Sequence, residues 1–182
     1  PRITIAVMVE PSEKARMVTG RELDRIPWLG VLSTQDRDWA VGRLRVLDCL
    51  AGEFVVRAGT PPTHWFGVIE GMLRVDRADD EAEHLTFSGI PAGGWFGEGT
   101  LIKGHAFLFS VQALRKSVVA QFPGDDFQAL AQRSIGFNRF ALNQINERLA
   151  QFIAAREIDR MDDDEQRLAC SLTWLRNPVL FP

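Results

Sequence analysis

The spacing of apolar residues divides the chain into a β-rich part and a helical part. Between Leu44 and Phe122, short apolar or alternating runs are separated by Gly, Pro or Asp about every 8 to 12 residues, which is typical of an antiparallel sandwich or barrel. The predicted strands are Leu44–Leu50, Glu53–Arg57, His64–Glu70, Met72–Arg77, Ala82–Ile90, Trp95–Phe96, Phe107–Leu114 and Ser117–Phe122. A double-sheet jelly roll closes the edges of such a set of strands, and it is the predicted fold.

The segments ahead of these strands are less regular. Residues 1–20 show no sustained period, although Arg2 to Val9 has the composition of a strand. From residue 21 we expect short helices that pack on the sheet. Pro27 interrupts the first of them, and Ser33 caps a second one that carries Trp39 and Val41.

Behind the strands the period changes to that of helices. A short helix follows Pro123-Gly124, and a much longer one is predicted from Ile135 to Ile158. In the long helix, apolar residues recur at the spacing of a coiled-coil seam, namely Leu142, Ile145, Leu149 and Phe152. A helix of this length measures about 36 Å and overruns a small barrel. We therefore expect the seam to form a homodimer interface, and the alternative is that it packs on its own barrel.

The end of the chain predicts one more helix. Acidic residues Asp162 to Asp164 break the long helix, and a helix from Glu165 to Arg176 follows before Asn177-Pro178. The predicted organisation is an N-terminal segment (1–20), a β-roll with flanking helices (21–134), a dimerisation helix (135–161) and the incomplete start of another domain (162–182).

Composition narrows the classes of function. The 182 residues are 46% hydrophobic and 25% charged with a net charge of −3, and no Lys/Arg cluster suited to nucleic acid is present. No apolar run reaches the roughly 18 residues of a membrane span. The first residues lack the layout of a signal peptide, so we expect a cytoplasmic protein with no membrane partner.

Cysteines and histidines give no indication of a metal or cofactor. Cys49 and Cys170 have no neighbouring cysteine, which disfavours zinc, an iron–sulfur cluster or a disulfide framework. His64, His84 and His105 lie at no ligand spacing, although a haem ligand from His84 or His105 remains an alternative. A jelly-roll enzyme of the cupin type needs a set of metal-binding histidines, so we expect no enzymatic activity.

The stretch from Ala92 to Leu114 is the candidate ligand site. Its first part is rich in glycine, with Gly93, Gly94, Gly97 and Gly99 around the carboxylate of Glu98. Glycines allow backbone N–H groups to approach an anion closely, and a carboxylate can accept from a sugar hydroxyl. Glycines in β proteins also mark tight turns, and the pattern by itself does not separate these uses.

Several motifs occur in the order and spacing of one known family. They are Ile26-Pro27-Trp28-Leu29, Ala51-Gly52-Glu53, Arg57-Ala58-Gly59-Thr60, the run from Val68 to Val75, Gly94-Trp95-Phe96-Gly97-Glu98, the run from Ser110 to Leu114, and Phe122-Pro123 with Asp126-Phe127. Over these motifs the chain resembles the sensor half of CRP/FNR bacterial transcription regulators, within the cyclic-nucleotide-binding-domain superfamily. The resemblance implies a β-roll that holds an effector, a long dimerising helix, and a winged helix-turn-helix that reads DNA. Residues 162–182 resemble the beginning of that DNA-binding domain, and its recognition helix is not in this chain.

The family's effector site carries over only in part. Gly97 and Glu98 stand where the family contacts phosphate and ribose. The positions at which cAMP-binding members carry an arginine and a hydroxyl residue for the phosphate fall on Phe107 and Leu108. The positions on the long helix that contact the nucleotide base in those members fall on Phe152 and Ile153. A phosphate without its arginine loses a bond of about 1.5 to 3 kcal/mol, so we predict that the protein does not respond to cAMP.

Two interpretations of the apolar residues remain open. In the first they line a cavity for a small apolar or aromatic effector, together with Gly97, Glu98 and Gly99; the lining residues are Trp95, Phe96, Phe107, Leu108, Phe109, Phe152 and Ile153. In the second they fill the roll as core. Strand alternation sends Phe107 and Phe109 to one face and Leu108 to the other. The leading hypothesis is the sensor of a DNA-binding regulator, and the alternative is a stand-alone ligand- or partner-binding module.

Overall fold

A computed structural model describes residues 15–77 and 86–180 of the chain. The strand expected over Arg2 to Val9, residues 82–85 of another predicted strand, and His84 lie outside the described residues. The strands are β1 (Arg16–Met17), β2 (Arg45–Cys49), β3 (Phe54–Val56), β4 (His64–Glu70), β5 (Met72–Arg77), β6 (Thr86–Pro91), β7 (Trp95–Phe96), β8 (Phe109–Ala113) and β9 (Ser117–Pro123). The helices are α1 (Gly20–Leu23), a 3-10 helix (Pro27–Val31), α2 (Thr34–Val41), α3 (Glu98–Lys103), α4 (Gly124–Arg133), α5 (Ile135–Ile158) and α6 (Asp164–Trp174).

The strands form two antiparallel sheets, which confirms the predicted jelly roll. One sheet has the order β1-β2-β9-β4-β7 and the other has the order β3-β8-β5-β6. Alternation along each strand sends one set of side chains between the sheets and the other set to the outer faces. Inside, Phe66 and Val119 of the first sheet pack with Leu73 and Val111 of the second. We call this set of buried residues the inter-sheet core.

The outer face of the five-stranded sheet carries a second core beneath the helices. Its centre is aromatic, with Trp28, Trp65 and Trp95 in mutual contact at ring-centroid distances of 4.4 to 5.6 Å. Phe122 of β9 and Phe137 of α5 also contact the ring of Trp28. We call this set the tryptophan core. It joins the 3-10 helix, the sheet and the start of α5 into one unit.

The tryptophan core depends on a close approach at Gly67 in β4. Gly67 pairs with Trp95 of β7, and a Cβ atom built at Gly67 would lie 2.2 Å from the Trp95 ring. Because any side chain there would displace the indole, only glycine allows β7 to lie against β4 with Trp95 fully inserted.

The helices match the expectations except at one point. The long helix α5 has the predicted bounds, and α6 begins one residue earlier and ends two residues earlier than predicted. Helix α3 was not predicted, because six residues between Gly97 and Gly104 are too few to show a period. None of the described helices is long and apolar enough to cross a membrane.

The first described residues are fixed to the sheet by charge. The Arg16 guanidinium lies 2.6 Å from the Glu22 carboxylate and 2.7 Å from the Asp48 carboxylate. Glu22 also accepts from the Thr19 backbone N–H and closes a capping box at the start of α1. The hydrogen bond from Arg16 is the main cause that lowers the pKa of Glu22 to about 2.

We predict that the ion pair between Arg16 and Glu22 makes the free energy of unfolding fall at acidic pH. The folded pKa of Glu22 is lowered from 4.5 to about 2, so its contribution is complete above the unfolded value and is lost as pH falls through the folded value. Glu22→Gln should cost about 1 kcal/mol of unfolding free energy at neutral pH, as expected for a partly exposed ion pair. In urea denaturation the difference from wild type should shrink as pH falls from 4.5 towards 2.

Asp24→Asn is the matched control for this prediction. Asp24 is exposed at the C-terminal end of α1. Its replacement removes one negative charge but leaves the ion pairs of Arg16 intact. A Glu22→Gln deficit that stays constant from neutral pH to about pH 3 would contradict the linkage to Arg16.

Candidate functional site

The glycine-rich stretch turns the chain on both sides of β7, because Gly93 and Gly94 precede this strand and Gly97 lies between it and α3. Gly97 has φ of 98°, a left-handed conformation that favours glycine, and it caps α3 ahead of Glu98. Gly94 is buried and its neighbourhood is crowded, since a Cβ there would lie 2.8 Å from Ile90. Gly99 in the first turn of α3 faces open space. We call residues 94–98 the effector turn.

The ring of Phe107 lies against this turn. A Cβ built at Gly97 would be 3.4 Å from the tip of the Phe107 ring, and Phe107 is only 2% exposed. The backbone of Phe107 is held at the same place, because its N–H donates to Thr60 at 2.9 Å and its carbonyl accepts from Gly59 at 2.7 Å. An aromatic ring therefore occupies the space beneath the Gly97 backbone.

The next two residues alternate as expected. Leu108 is 85% exposed, whereas Phe109 is half-buried and its ring contacts Phe107 edge-on at a centroid distance of 5.7 Å. Phe107 and Phe109 thus share the inner face of the roll. Leu108 points into solvent and contributes nothing to the interior.

The two residues of β7 face opposite sides of the sheet. Phe96 stacks on Phe66 in the inter-sheet core, with a centroid distance of 5.4 Å and an angle of 19° between the rings. Trp95 belongs to the tryptophan core on the other face. The structure therefore brings Phe96 and Phe107 together inside the roll and separates Trp95 from them.

Glu98 is buried and both of its carboxylate oxygens are used. It is 3% exposed, Oε1 accepts from Arg148 Nε at 2.9 Å, and Oε2 accepts from Trp65 Nε1 at 3.2 Å. A second Arg148 nitrogen donates to the Trp95 carbonyl. The long helix is therefore joined to the first residue of β7 and to the first residue of α3 through one guanidinium.

The role of Arg148 was missed from the sequence. Its signal is its position on α5, because Phe137, Ala141 and Gln144 are buried and Arg148 follows four residues after Gln144 on the same face. A charged residue that continues a buried helical face needs a buried partner of opposite charge. Which carboxylate supplies that partner is decided by the fold.

Among the remaining site candidates on α5, Ile153 lies on a different face from Arg148. Phe152 follows four residues after Arg148 on the same face, nearer the end of the helix. Phe152 and Ile153 are 59% and 51% exposed, and neither is among the described members of the two cores. Leu142 and Leu149 are likewise 58% and 56% exposed, and Ile145 is half-buried. A single chain therefore does not bring Phe152 and Ile153 to Phe96 and Phe107.

The two described histidines, His64 and His105, differ in their burial. His64 is half-buried beside Phe66, and desolvation lowers the pKa of its imidazole below the ordinary value. His105 is exposed. Within residues 15–77 and 86–180, no group of three or more His, Cys, Asp or Glu side chains is arranged to hold a metal ion. Cys49 is buried and Cys170 is half-buried.

A shallow depression of about 280 Å³ lies away from the effector turn, between α2 and α4. Its lining includes Trp39, whose ring lies under the guanidinium groups of Arg43 and Arg133 at 4.0 and 3.8 Å. Arg133 pairs with Asp36 at 2.9 Å, and Arg43 pairs with a carboxylate of α4. Because these cations already have carboxylate partners, the depression offers no unpaired charge to a ligand.

We predict that Arg148 is required to keep Glu98 buried. Arg148→Met should lower the unfolding free energy by about 3 kcal/mol, because it leaves a buried carboxylate without its counter-charge. Adding Glu98→Gln to Arg148→Met should recover part of this loss in urea denaturation. Arg139→Met, at an exposed position of the same helix, is the control. An Arg148→Met cost no larger than that of Arg139→Met would contradict the assignment.

Comparison with known proteins agrees with this geometry. Residues 47–134 match the family model described as the cyclic nucleotide-binding domain. No curated protein sequence matches the chain at a significant level.

Solved structures with the same fold include regulatory proteins. The sensor domain of the transcriptional regulator DNR from Pseudomonas aeruginosa has a TM-score of 0.62 and 17% identity, over 79% of this chain and 93% of that one. The Thermus thermophilus catabolite activator protein has a TM-score of 0.57 and 18% identity, over 73% of this chain and 61% of that one. A regulatory subunit of a cAMP-independent protein kinase A from Trypanosoma cruzi, bound to guanosine, has a TM-score of 0.55 and 21% identity, over 66% of this chain and 43% of that one.

The resemblance inferred from the sequence motifs is thus confirmed at the level of the domain and its fold. Residues 47–134 match the cyclic nucleotide-binding domain, and the chain has the fold of the sensor domain of DNR and of the catabolite activator protein.

Proposed function

We propose that this chain is the effector-sensing and dimerisation module of a CRP/FNR-type DNA-binding transcription regulator, and that its effector is not cAMP. The observation that carries the proposal is the filled effector turn, in which Phe107 lies against Gly97 while Arg148 and Trp65 use both oxygens of Glu98. The turn keeps the glycines and the carboxylate of a nucleotide cradle, but a phenylalanine ring lies beneath it and the cation that the described residues bring to it, Arg148, is already paired with Glu98.

The charges around the turn argue against a cyclic phosphate. The two positions that would supply an arginine and a hydroxyl hold a buried ring, Phe107, and an exposed side chain, Leu108. An enclosed phosphate without these donors loses about 1.5 to 3 kcal/mol per charge-assisted bond and stays partly unpaired. The Arg148 guanidinium is close, but it already donates to Glu98 and to the Trp95 carbonyl.

An uncharged aromatic effector suits the same surroundings better. Small-molecule sites are mostly apolar with a few polar anchors, and Phe66, Phe96, Phe107 and Phe109 supply apolar rings on the inner face of the roll. The guanosine-bound trypanosomal protein shows that a related fold holds a nucleoside that has no phosphate. In this chain, an effector that hydrogen-bonds Glu98 must compete with Arg148.

The free face of α5 supports dimerisation. One face of the helix is buried against the chain's own cores through Phe137, Ala141 and Gln144. Another face carries large apolar side chains that are more than half exposed, namely Leu142, Leu149 and Ile153. Phe152 is also exposed, but it lies on the Arg148 face nearer the end of the helix. The helix has 24 residues and is about 36 Å long at about 1.5 Å per residue, enough for several layers of a two-helix seam. A second copy of α5 would bury this face.

Ligand binding gives the direct test of the effector. We expect no rise in melting temperature with millimolar cAMP or cGMP, whereas a ligand at about 100 times its Kd should add about 2.7 kcal/mol of stability. Adenosine and guanosine serve as the matched uncharged probes. A response to cAMP at nanomolar to low-micromolar concentration would refute the interpretation of Phe107 and Leu108.

Dimerisation is tested by sedimentation. We expect Leu149→Glu to convert a dimer into a monomer, because it places a charge in the middle of the apolar seam. Leu172→Glu is the matched control, since this leucine of α6 is 54% exposed against 56% for Leu149. A wild-type monomer at high micromolar concentration, or equal effects of the two substitutions, would count against the α5 seam.

The DNA-binding role rests on the resemblance of residues 162–182 to the start of a winged helix-turn-helix domain. This chain spans 61% of the catabolite activator protein that it matches. The coding sequence after Pro182 should encode a basic recognition helix. An unrelated domain or a stop codon there would favour a stand-alone sensing module instead.

A further inference from the structure

The segment after α6 returns to the long helix α5 and lies beside the effector turn. We propose that residues 177–180, which we call the return segment, act as a latch whose docking is coupled to the Glu98–Arg148 pair. The proposal rests on the proposed sensing role of the effector turn. It adds the specific contact through which a change at that turn is passed to the end of the described chain.

The return segment has a defined shape. The Asn177 side-chain carbonyl accepts from the backbone N–H groups of Val179 at 2.9 Å and Leu180 at 3.1 Å. Its amide nitrogen donates to the Glu147 carboxylate on α5 at 2.8 Å. One side chain therefore both shapes the turn and attaches it to the long helix.

Two buried contacts seat this turn on the sensor. Leu180 is 6% exposed, and its carbonyl lies 3.6 Å from the position of a Cβ on Gly94. Gln144 of α5 is 3% exposed, and its amide nitrogen donates to the Val179 carbonyl at 3.2 Å. The side-chain oxygen of Gln144 is buried without a hydrogen-bond partner among the described residues. A buried amide with one unmet group is costly, so its remaining bond to Val179 is a sensitive point of the docking.

The same helix face holds the effector turn. Gln144 and Arg148 are four residues apart and therefore lie one above the other on α5. Arg148 binds Glu98 and the Trp95 carbonyl, and Trp95 directly follows Gly94, beside which the Leu180 carbonyl lies. The return segment and the effector turn are thus neighbours, and both are bound by side chains of the same helical turn of α5.

Loss of either contact should weaken the other. If an effector competes for Glu98, Arg148 loses its carboxylate and the helical turn that also carries Gln144 is freed to shift. Coupling of this kind is reciprocal in binding free energy, so release of the return segment must in turn loosen the effector turn. A return segment that docks independently of the effector turn would show neither effect.

Hydrogen–deuterium exchange on the whole chain, without effector or DNA, tests the latch. We expect Gln144→Leu to raise the exchange of the Val179 and Leu180 amides about tenfold, a free-energy change of about 1.4 kcal/mol. Arg148→Met should raise the same amides by a similar factor, although Arg148 has no described hydrogen bond to the return segment. Gln151→Leu, at a half-buried glutamine of the same helix, should leave them unchanged.

The reciprocal arm uses a substitution outside both cores. Asn177→Ala should release the return segment and also raise exchange in α3, whose Leu101 amide donates to the Gly97 carbonyl. Because Asn177 lies outside both cores, this variant keeps the test valid if Arg148→Met fails to fold. Release of the segment with no change in α3, or no release in Gln144→Leu, would overturn the proposal. Neither outcome depends on cAMP, dimerisation or DNA, so failure of the latch proposal can be distinguished from failure of the proposed function.

Discussion

A carboxylate removed from water must find a counter-charge and hydrogen bonds, and the arrangement around Glu98 follows from that requirement. Glu98 is 3% exposed, and its partners come from two distant parts of the chain, Trp65 in β4 and Arg148 in α5. Removing Arg148 would leave the buried Glu98 charge uncompensated, which costs about 3 kcal/mol. The pair therefore holds the turn, the roll and the long helix in one relative position.

The tryptophan core makes that position possible. The Trp95 ring enters the tryptophan core because Gly67 has no side chain. In this position the backbone carbonyl of Trp95 accepts a hydrogen bond from Arg148. Trp65 packs against Trp95 at 4.4 Å and donates its indole N–H to Glu98. Apolar packing and the buried ion pair thus share the same two indoles. A change in the packing of these indoles is therefore expected to alter the Glu98–Arg148 ion pair, and the reverse, because close-packed interiors transmit small displacements.

The interior of the roll is organised by aromatic rings in place of phosphate ligands. Phe107 sits under the Gly97 backbone, and Phe66 and Phe96 stack beside it. An effector entering this space must displace or join these rings, so shape and aromatic contact would decide which molecule binds. The long helix presents exposed apolar side chains on another face, through Leu142, Leu149 and Ile153. Gln144 and Arg148 lie on the inward face, so the proposed sensing and dimerisation surfaces lie on different faces of α5.

Long, regular patterns were readable without a structure. Helix α5 was predicted with its observed bounds because its apolar period runs over 24 residues, and β4 and β5 were predicted because Gly71 separates two clear apolar runs. The jelly roll followed from the regular spacing of turns. Helix α3 was missed because its six residues are too short for a period to show.

The sequence by itself determined the strands, the long helix, the glycine turn and the absence of an arginine at position 107 or 108. Only the tertiary structure decided which side chains meet. It pairs Arg148 with Glu98, turns Trp95 and Phe96 to opposite faces, and exposes Leu108 while it buries Phe107. Arg148 and Glu98 are 50 positions apart in the sequence, and local patterns carry no information about such distant partners.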